Sequence, residues 1–207
     1  MINDLIKRYP ALESCRAEIE NAKNAIIECY EKGGKLLLCG NGGSAADCDH
    51  IVGELMKGFM KLRPLSDEKK SEMKANCPSL DDELLSKLQG ALPAVSLPSV
   101  TALNSAFCND VAPELVYAQP LMSLGNKGDI LIAISTSGNS ANVLAAAKVA
   151  RSLGLCVIAL SGNIGGKLAE VADIRILAPE KETYKVQELH LPIYHCLCAA
   201  VEEHFFK

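Results

Sequence analysis

Residues 35–44 read Lys35-Leu36-Leu37-Leu38-Cys39-Gly40-Asn41-Gly42-Gly43-Ser44, an apolar run that leads directly into a glycine-rich turn. An apolar run without polar alternation is typical of a parallel strand that is buried on both faces. The residues after the turn, to about Phe59, have the pattern of a helix. Such a strand–turn–helix unit directs free backbone N–H groups and the positive end of a helix dipole at whatever lies above the turn. The stretch therefore predicts an α/β fold with an anion-binding site at the end of this strand.

A second unit of the same kind occupies residues 129–153. An apolar run precedes Ser135-Thr136-Ser137-Gly138-Asn139-Ser140, and an alanine-rich helical pattern begins at Ser140, which suits an N-cap. Neither turn has the spacing of a dinucleotide-binding motif or a P-loop, so we expect no nucleotide cofactor. Hydroxyl and main-chain N–H groups can satisfy a phosphate without a fixed cation. The two turns together predict a pocket for a phosphorylated small molecule, with a sugar phosphate favoured.

The remaining chain continues the alternation of strands and helices. It predicts further strands at 94–97, 155–160 and 174–177, and helical segments at 2–32, 165–171 and 184–206. This order is typical of a three-layer α/β/α sandwich with a mainly parallel five-stranded sheet, here with long N- and C-terminal helices. We interpret residues 1–207 as a single domain. Residues 61–90 interrupt the alternation and predict a surface insertion with one or two short helices.

The composition excludes several classes of function. The 207 residues are 49% hydrophobic and 22% charged, with a net charge of −4. No basic stripe is present to neutralise a nucleic acid backbone, so we expect no nucleic acid partner. We also expect no membrane partner, because no apolar segment is long enough to span a bilayer. The N-terminal residues lack a signal-peptide pattern and the nine cysteines are scattered singly, so a cytoplasmic location is expected.

Two pairs of polar residues are candidates for chemistry. His50 and Glu54 are four residues apart and share one face of a helix, which suits two ligands of one metal ion, an acid/base pair or a surface ion pair. Gln187 and His195 are eight residues apart on the last helix, a rise of about 12 Å. That rise is too long for one ion, and a kink at Pro192 would hardly close it. If both residues serve one site, the simpler solution is that they come from different subunits.

These motifs together resemble those of the phosphoheptose isomerases of the sugar isomerase (SIS) superfamily, over most of the chain. The shared features, in order, are residues 41–47, His50 with Glu54, Asn109-Asp110, residues 135–142, and Gln187-Glu188-x-His190 with His195. The insertion at 61–90 is longer than expected for the core members of that family. Because of this difference, the substrate of this chain need not be the one that those members use.

The resemblance implies a SIS fold and a homotetramer with active sites between subunits. It implies interconversion of sedoheptulose 7-phosphate and D-glycero-D-manno-heptose 7-phosphate, a step toward the heptose of bacterial lipopolysaccharide. By matching motifs, the implied substrate-binding residues are Asn41, Gly42, Gly43, Ser44, Glu54, Asn109, Asp110, Ser135, Thr136, Ser137, Ser140 and Gln187. The implied cofactor is one zinc ion per site, with the ligands His50, Glu54, Gln187 and His195.

A ketose–aldose isomerisation requires a base that removes a proton beside the carbonyl, which produces an enediolate. We assign Glu54 as this base and His195 as the partner acid that moves a proton between the two oxygens. Two alternatives stay open. One is a non-catalytic SIS-domain regulator of the type that associates with the initiator of chromosome replication. The other is an isomerase of another sugar phosphate. The presence of the His/Glu/Gln/His set favours the enzyme.

Overall fold

The computed structural model describes Met1–Phe206, and Lys207 lies outside the described residues. Five strands form one parallel sheet: β1 Leu36–Cys39, β2 Ala94–Ser96, β3 Ile130–Ser135, β4 Cys156–Gly162 and β5 Ile174–Ala178. Their order across the sheet is β2-β1-β3-β4-β5. In the central register, Leu38 pairs with Ile132 and Ile132 pairs with Ile158. The predicted fold class is confirmed, and every predicted strand is present within two residues at each end.

Helices surround the sheet. In the described residues they are α1 Ile2–Arg8, α2 Arg16–Glu31, α3 Gly43–Met56, α4 Asp67–Asn76, α5 Asp82–Lys87, α6 Thr101–Asp110, α7 Ala118–Leu124, α8 Ala141–Ser152, α9 Gly166–Val171 and α10 Thr183–Phe205. None of these helices has both the length and the apolar character needed to cross a bilayer.

The two faces of the sheet support two apolar cores. Successive strand residues point to opposite faces, so Leu36 and Leu38 enter one core while Leu37 and Cys39 enter the other. The first core includes buried side chains of α2, α3 and α10, and the second includes those of α7, α8 and α9. Coverage on both faces explains why β1 and most of β3 and β4 are continuously apolar. It also places the polar turns at the carboxyl ends of the strands, where open α/β sheets bind ligands.

The single helical segment predicted for residues 2–32 is wrong. Helix α1 ends at Arg8, Tyr9 adopts φ −130° and ψ 74°, and a 3-10 helix runs over Pro10–Cys15 before α2 begins. Pro10 is the physical cause, because its ring disfavours the α conformation at the preceding residue and it has no N–H to donate. The apolar spacing continues through the break since Leu12 and Cys15 are still buried.

The segment at 61–90 contains two short capped helices, in agreement with the predicted one or two. Ser66 accepts a hydrogen bond from the N–H of Lys69 at the start of α4, and Asp81 accepts one from Leu84 at the start of α5. Helix α4 has no buried residue, whereas Leu85 of α5 is buried. The interpretation as one domain over 1–207 with an insertion at 61–90 stays a prediction.

Candidate active site

The first turn places a glycine-rich backbone at the start of α3. Gly42 has φ +55°, a conformation that favours glycine, and it precedes α3 without a side-chain cap. Ser44 is buried in the first turn of the helix. The Tyr117 hydroxyl donates to the carbonyl of Gly40 at 2.7 Å and lies 3.0 Å from Asn41 Oδ1. The N–H of Ser44 donates to the carbonyl of Asn41, and those of Ala45 and Ala46 donate to the carbonyl of Gly42. The turn therefore offers an anion the positive end of the α3 dipole and not a full set of free N–H groups.

The second turn joins the end of β3 to α8. Ser135 is buried, Thr136 is half-buried and Ser137 is exposed, so the hydroxyls rise from the core to the surface. Ser140 occupies the N-cap position of α8, as predicted, but its side chain makes no capping hydrogen bond. Its Oγ lies instead 3.0 Å from Ser135 Oγ. The prediction that Ser140 is the N-cap residue of α8 is therefore confirmed, although its hydroxyl pairs with that of Ser135 and not with the helix backbone.

The two turns are tied to each other by side-chain amides. Asn41 Nδ2 donates to Asn142 Oδ1 at 2.8 Å, and Asn142 Nδ2 donates to Asn41 Oδ1 at the same distance. The reciprocal pair holds both helix N-termini at one edge of the sheet. Asn142 lies inside the matched serine-rich motif but was not among the predicted site residues, and nothing in the sequence pattern marks Tyr117.

Gly138 shows how tightly the second turn is packed. Its φ is +65°, and a Cβ built on it would lie 1.8 Å from the carbonyl oxygen of Gly165. We expect Gly138→Ala to lower the free energy of unfolding by at least about 1–3 kcal/mol, measured by urea denaturation, because strain and a backbone clash act together. Gly53→Ala is the control, since open space surrounds Gly53 in α3 and the change there improves helix propensity. Equal stability of the two variants would contradict this reading.

A second group of polar side chains lies along α3, beyond the first turn. His50 Nε2 is 3.2 Å from Glu54 Oε1, and the His50 and His195 rings have centroids 5.0 Å apart at 86°. Glu54 Oε2 and His195 Nε2 are both buried without a hydrogen-bond partner. Glu54 Oε2 lies 3.5 Å from the Lys57 ammonium. Burial, and then the proximity of His50, lowers the pKa of His195.

Gln187 does not join this group within one chain. Helix α10 runs without interruption through Pro192, so the rise between Gln187 and His195 is kept. Gln187 instead contacts the first turn, where a Cβ on Gly43 would lie 2.5 Å from Gln187 Nε2. Gln187 is therefore placed beside the predicted phosphate pocket, while His195 is placed beside His50 and Glu54.

The donor types fit zinc only in part within a single chain. Two imidazoles and a carboxylate are ligands that zinc prefers, and two of their donor atoms are unpartnered. Within residues 1–206, however, no set of three or more His, Cys, Asp or Glu side chains has the geometry to hold a metal ion. His50, Glu54 and His195 thus resemble an incomplete set of zinc ligands.

Asn109 and Asp110 lie apart from these groups. They are exposed at the C-terminal end of α6, where Asn109 Nδ2 donates to Asp110 Oδ1 at 2.8 Å. No residue of α6 is buried. Their expected contact with the sugar chain stays a prediction.

The group of His50, Glu54 and His195 is called the histidine cluster below. Tyr194, Asp47 and Arg63 hold this cluster in place, and they were not among the predicted site residues. Tyr194 contacts His50 and Asp47, and Arg63 donates to the backbone carbonyls of Leu55 and Glu54. Asp47 is three residues before His50 on α3, so the helical spacing was a usable signal for it. No comparable signal links Tyr194 or Arg63 to α3, because they are distant in sequence.

His190 is a buried histidine that the predicted site does not use. It is fully buried, both ring nitrogens lack hydrogen-bond partners, and burial lowers its pKa to about 4. An unfolded histidine has a pKa of about 6.5, so between these values the unfolded chain binds a proton that the folded chain does not. Stability therefore falls as the pH drops from about 6.5 to about 4, by on the order of 3 kcal/mol for this residue.

We expect His190→Leu to flatten this part of the pH dependence, measured as urea midpoints at pH 7.5 and pH 5. His204→Leu is the matched control, because His204 is exposed and lies 2.9 Å from Glu31 at the surface. The explanation fails if the His190 variant loses as much stability on acidification as the unmodified protein.

Comparisons with known proteins identify the family of this chain. The SIS-domain family model matches residues 2–95 and 89–162. A phosphoheptose isomerase of Helicobacter pylori is 37% identical over 214 residues, which covers 99% of this chain and 98% of the relative. One from Aneurinibacillus thermoaerophilus is 37% identical over 189 residues, covering 91% of this chain and 82% of the relative.

Solved structures of phosphoheptose isomerases share this fold. Phosphoheptose isomerase GmhA of Neisseria gonorrhoeae superimposes with a TM-score of 0.76 at 31% identity, covering 97% of this chain and 94% of that one. The phosphoheptose isomerase of Francisella tularensis gives a TM-score of 0.78 at 31% identity, with the same coverage.

The parallel sheet, the two polar turns at its carboxyl edge and the family match define this chain as a SIS-domain protein. Relatives named phosphoheptose isomerase are 37% identical over 91–99% of this chain, which narrows the family within the SIS-domain proteins. The chain belongs to the phosphoheptose isomerase family and is a phosphosugar isomerase.

Proposed function

We propose that this protein converts sedoheptulose 7-phosphate to D-glycero-D-manno-heptose 7-phosphate through an enediolate. The observation that carries the proposal is the juxtaposition along α3. The helix begins at a phosphate-type turn at Gly43 and carries His50 and Glu54 two to three turns later, beside His195. A substrate that reaches from an anion site to an acid/base group fits this layout. Relatives named phosphoheptose isomerase, which are 37% identical to this chain, support the same substrate.

The phosphate end of the substrate is assigned to the two turns. Backbone N–H groups at the starts of α3 and α8 supply donors and a favourable dipole. The side chains assigned to this end are Asn41, Ser44, Ser135, Thr136, Ser137, Ser140 and Gln187, with Gly42 and Gly43 allowing close approach of the backbone. Support comes from the Asn41–Asn142 pair, which holds both turns at one edge. Asn109 and Asp110 are assigned to the sugar chain.

The chemical steps are assigned to Glu54 and His195. Glu54 removes the proton beside the carbonyl and returns it to the neighbouring carbon, and His195 transfers a proton between the two oxygens. The unpartnered atoms Glu54 Oε2 and His195 Nε2 support this assignment, because each is free to take up a proton from a substrate. Their burial also excludes water that would otherwise compete.

A metal role is assigned to His50, Glu54, Gln187 and His195. Bound zinc would polarise the substrate carbonyl and stabilise the negative charge of the enediolate. A carboxylate held on a metal is a weak base, so Glu54 would hold zinc in the resting state and would act as the base only when released from it. Because Gln187 lies beside Gly43 and not beside His50, the fourth ligand is assigned to a second copy of the chain.

This assignment makes the active protein an oligomer, and we propose a cytoplasmic homotetramer that provides heptose for lipopolysaccharide. Exposed apolar side chains such as Leu62, 89% exposed, and Ile164, 77% exposed, offer contact surface for such an assembly.

Mixing Gln187→Ala and His195→Ala subunits tests the shared site. Activity regained on mixing, from two inactive parents, is the expected result. No regain under conditions of subunit exchange would place both residues in one subunit.

The substrate is tested by incubating the zinc-loaded protein with sedoheptulose 7-phosphate and with pentulose and hexulose phosphates. We expect the aldose product from the heptulose phosphate, and loss of turnover in His195→Ala. His204→Ala is the matched control, because that histidine is exposed at the far end of α10. Turnover of a shorter ketose phosphate alone would replace the proposed substrate.

A further inference from the structure

His50 is held on its far side by a chain of two hydrogen bonds. Its Nδ1 lies 3.0 Å from the Tyr194 hydroxyl, which donates to Asp47 Oδ1 at 3.1 Å. Tyr194 is 2% exposed and packs from α10 against α3, with its ring 5.5 Å from that of His50 in an edge-on arrangement. Asp47 and His50 lie one turn apart on α3, so a single phenol spans both.

The number of hydrogens that Tyr194 and Asp47 can donate decides which nitrogen of His50 is protonated. A tyrosine hydroxyl has one hydrogen, and an ionised carboxylate has none. Tyr194 therefore gives its hydrogen to Asp47, and its oxygen must accept a hydrogen from His50 Nδ1. The phenol shares its hydrogen with Asp47 across 3.1 Å, so its oxygen is left to accept from His50 across 3.0 Å.

The consequence appears at the other ring nitrogen. A neutral imidazole protonated at Nδ1 carries a lone pair at Nε2. That lone pair faces Glu54 Oε1 across 3.2 Å, and Glu54 Oε2 has no hydrogen-bond partner. Two acceptors at this distance repel each other unless a proton or a cation lies between them. The arrangement therefore suits a positive ion between the two atoms, which is either a proton shared by the pair or a metal ion.

We propose that Asp47 and Tyr194 are positioning residues that hold His50 as the Nδ1–H tautomer and thereby aim its Nε2 lone pair at a divalent cation shared with Glu54. The metal half of this inference rests on the metal role proposed above, whereas the tautomer half does not. A second hydrogen bond to the distal ring nitrogen commonly orients a metal-binding histidine and raises its basicity.

The first test reads the tautomer directly in metal-free protein. Long-range ¹H–¹⁵N NMR of histidine-labelled protein, at a pH where imidazoles are neutral, distinguishes the two ring nitrogens. Only four histidines are present, and the His50 signals are identified by their loss in His50→Gln. We expect the Nδ1–H pattern in the unmodified protein and a mixture in Tyr194→Phe. An Nε2–H pattern or a mixture in the unmodified protein would overturn the proposal.

The second test measures zinc affinity by competition with a chelator. We expect Tyr194→Phe to weaken binding by about 10–100-fold. Asp47→Ala should weaken it at least as much, because the freed phenol can then donate to Nδ1 and select the Nε2–H tautomer. Tyr184→Phe is the matched control on the same helix, since Tyr184 is 57% exposed. Urea midpoints establish that each variant is folded.

The outcomes separate this inference from the proposed reaction. Unchanged zinc affinity in Tyr194→Phe and Asp47→Ala, or no zinc binding by the unmodified protein, would overturn the positioning role. A protein that shows the expected tautomer and affinities but does not turn over sedoheptulose 7-phosphate would keep the inference and refute the substrate.

Discussion

We expect Glu54→Gln to lower kcat for sedoheptulose 7-phosphate by about 10²–10⁴-fold, the range typical of a lost general base. Glutamine has the shape of glutamate but cannot accept the substrate proton. KM should change little, because the phosphate turns that hold the substrate lie two to three turns away along α3. Steady-state kinetics, with bound zinc measured in the same samples, separates loss of the base from loss of a ligand.

Glu203→Gln is the matched control for this variant. Glu203 is exposed on α10, outside the cluster of His50, Glu54 and His195, so its amide variant should retain full activity. A Glu54 variant that keeps kcat within a factor of a few, with zinc still bound, would place the base elsewhere.

The largest expected effect on stability comes from the ion pair between Arg63 and Glu202. Both side chains are about 1% exposed, and Arg63 Nε donates to Glu202 Oε1 at 2.8 Å. Glu202 also accepts from the N–H groups of Phe59 and Met60. We expect Arg63→Met to lower the free energy of unfolding by about 3–5 kcal/mol, because the carboxylate is left buried without its countercharge. Urea denaturation at neutral pH measures it.

This pair should also affect the site, since Arg63 donates to the carbonyls of Leu55 at 2.7 Å and Glu54 at 2.9 Å and so secures the end of α3. Lys69→Met is the control, because the Lys69–Glu72 pair is exposed and such pairs contribute about 0–1 kcal/mol. If Arg63→Met were no more destabilising than Lys69→Met, the buried pair would not secure this region.

Much of the fold could be predicted because its pattern is repeated. Strand β1, Leu36–Cys39, is apolar throughout, since helices cover both faces of the sheet. Helices α6 and α7 were not predicted. Helix α6 buries no residue, so it has no apolar stripe for a pattern to reveal. The break at Tyr9 was missed because the apolar spacing persists across it, although Pro10 was the visible signal.

The site could be predicted where its parts are local in sequence. The turns and the His50–Glu54 spacing are local, and the rise of one helix correctly separated Gln187 from His195 within one chain. The contacts that hold the cluster are not local. Arg63 and Glu202 are 139 residues apart, and Tyr194 is 144 residues from His50. Each of these residues alone is compatible with an ordinary buried or surface position, so only the packing of α10 against α3 and against the segment after α3 identifies its partner.

The most direct test of the central claim is turnover of sedoheptulose 7-phosphate by the unmodified protein in ²H₂O, followed by NMR. We expect that D-glycero-D-manno-heptose 7-phosphate forms and carries solvent deuterium at C2, because the proton leaves the carbon on Glu54 and exchanges before it returns. Formation of the aldose with only protium at C2 would indicate a hydride shift and contradict the enediolate. Absence of the aldose would contradict the isomerase activity on this substrate.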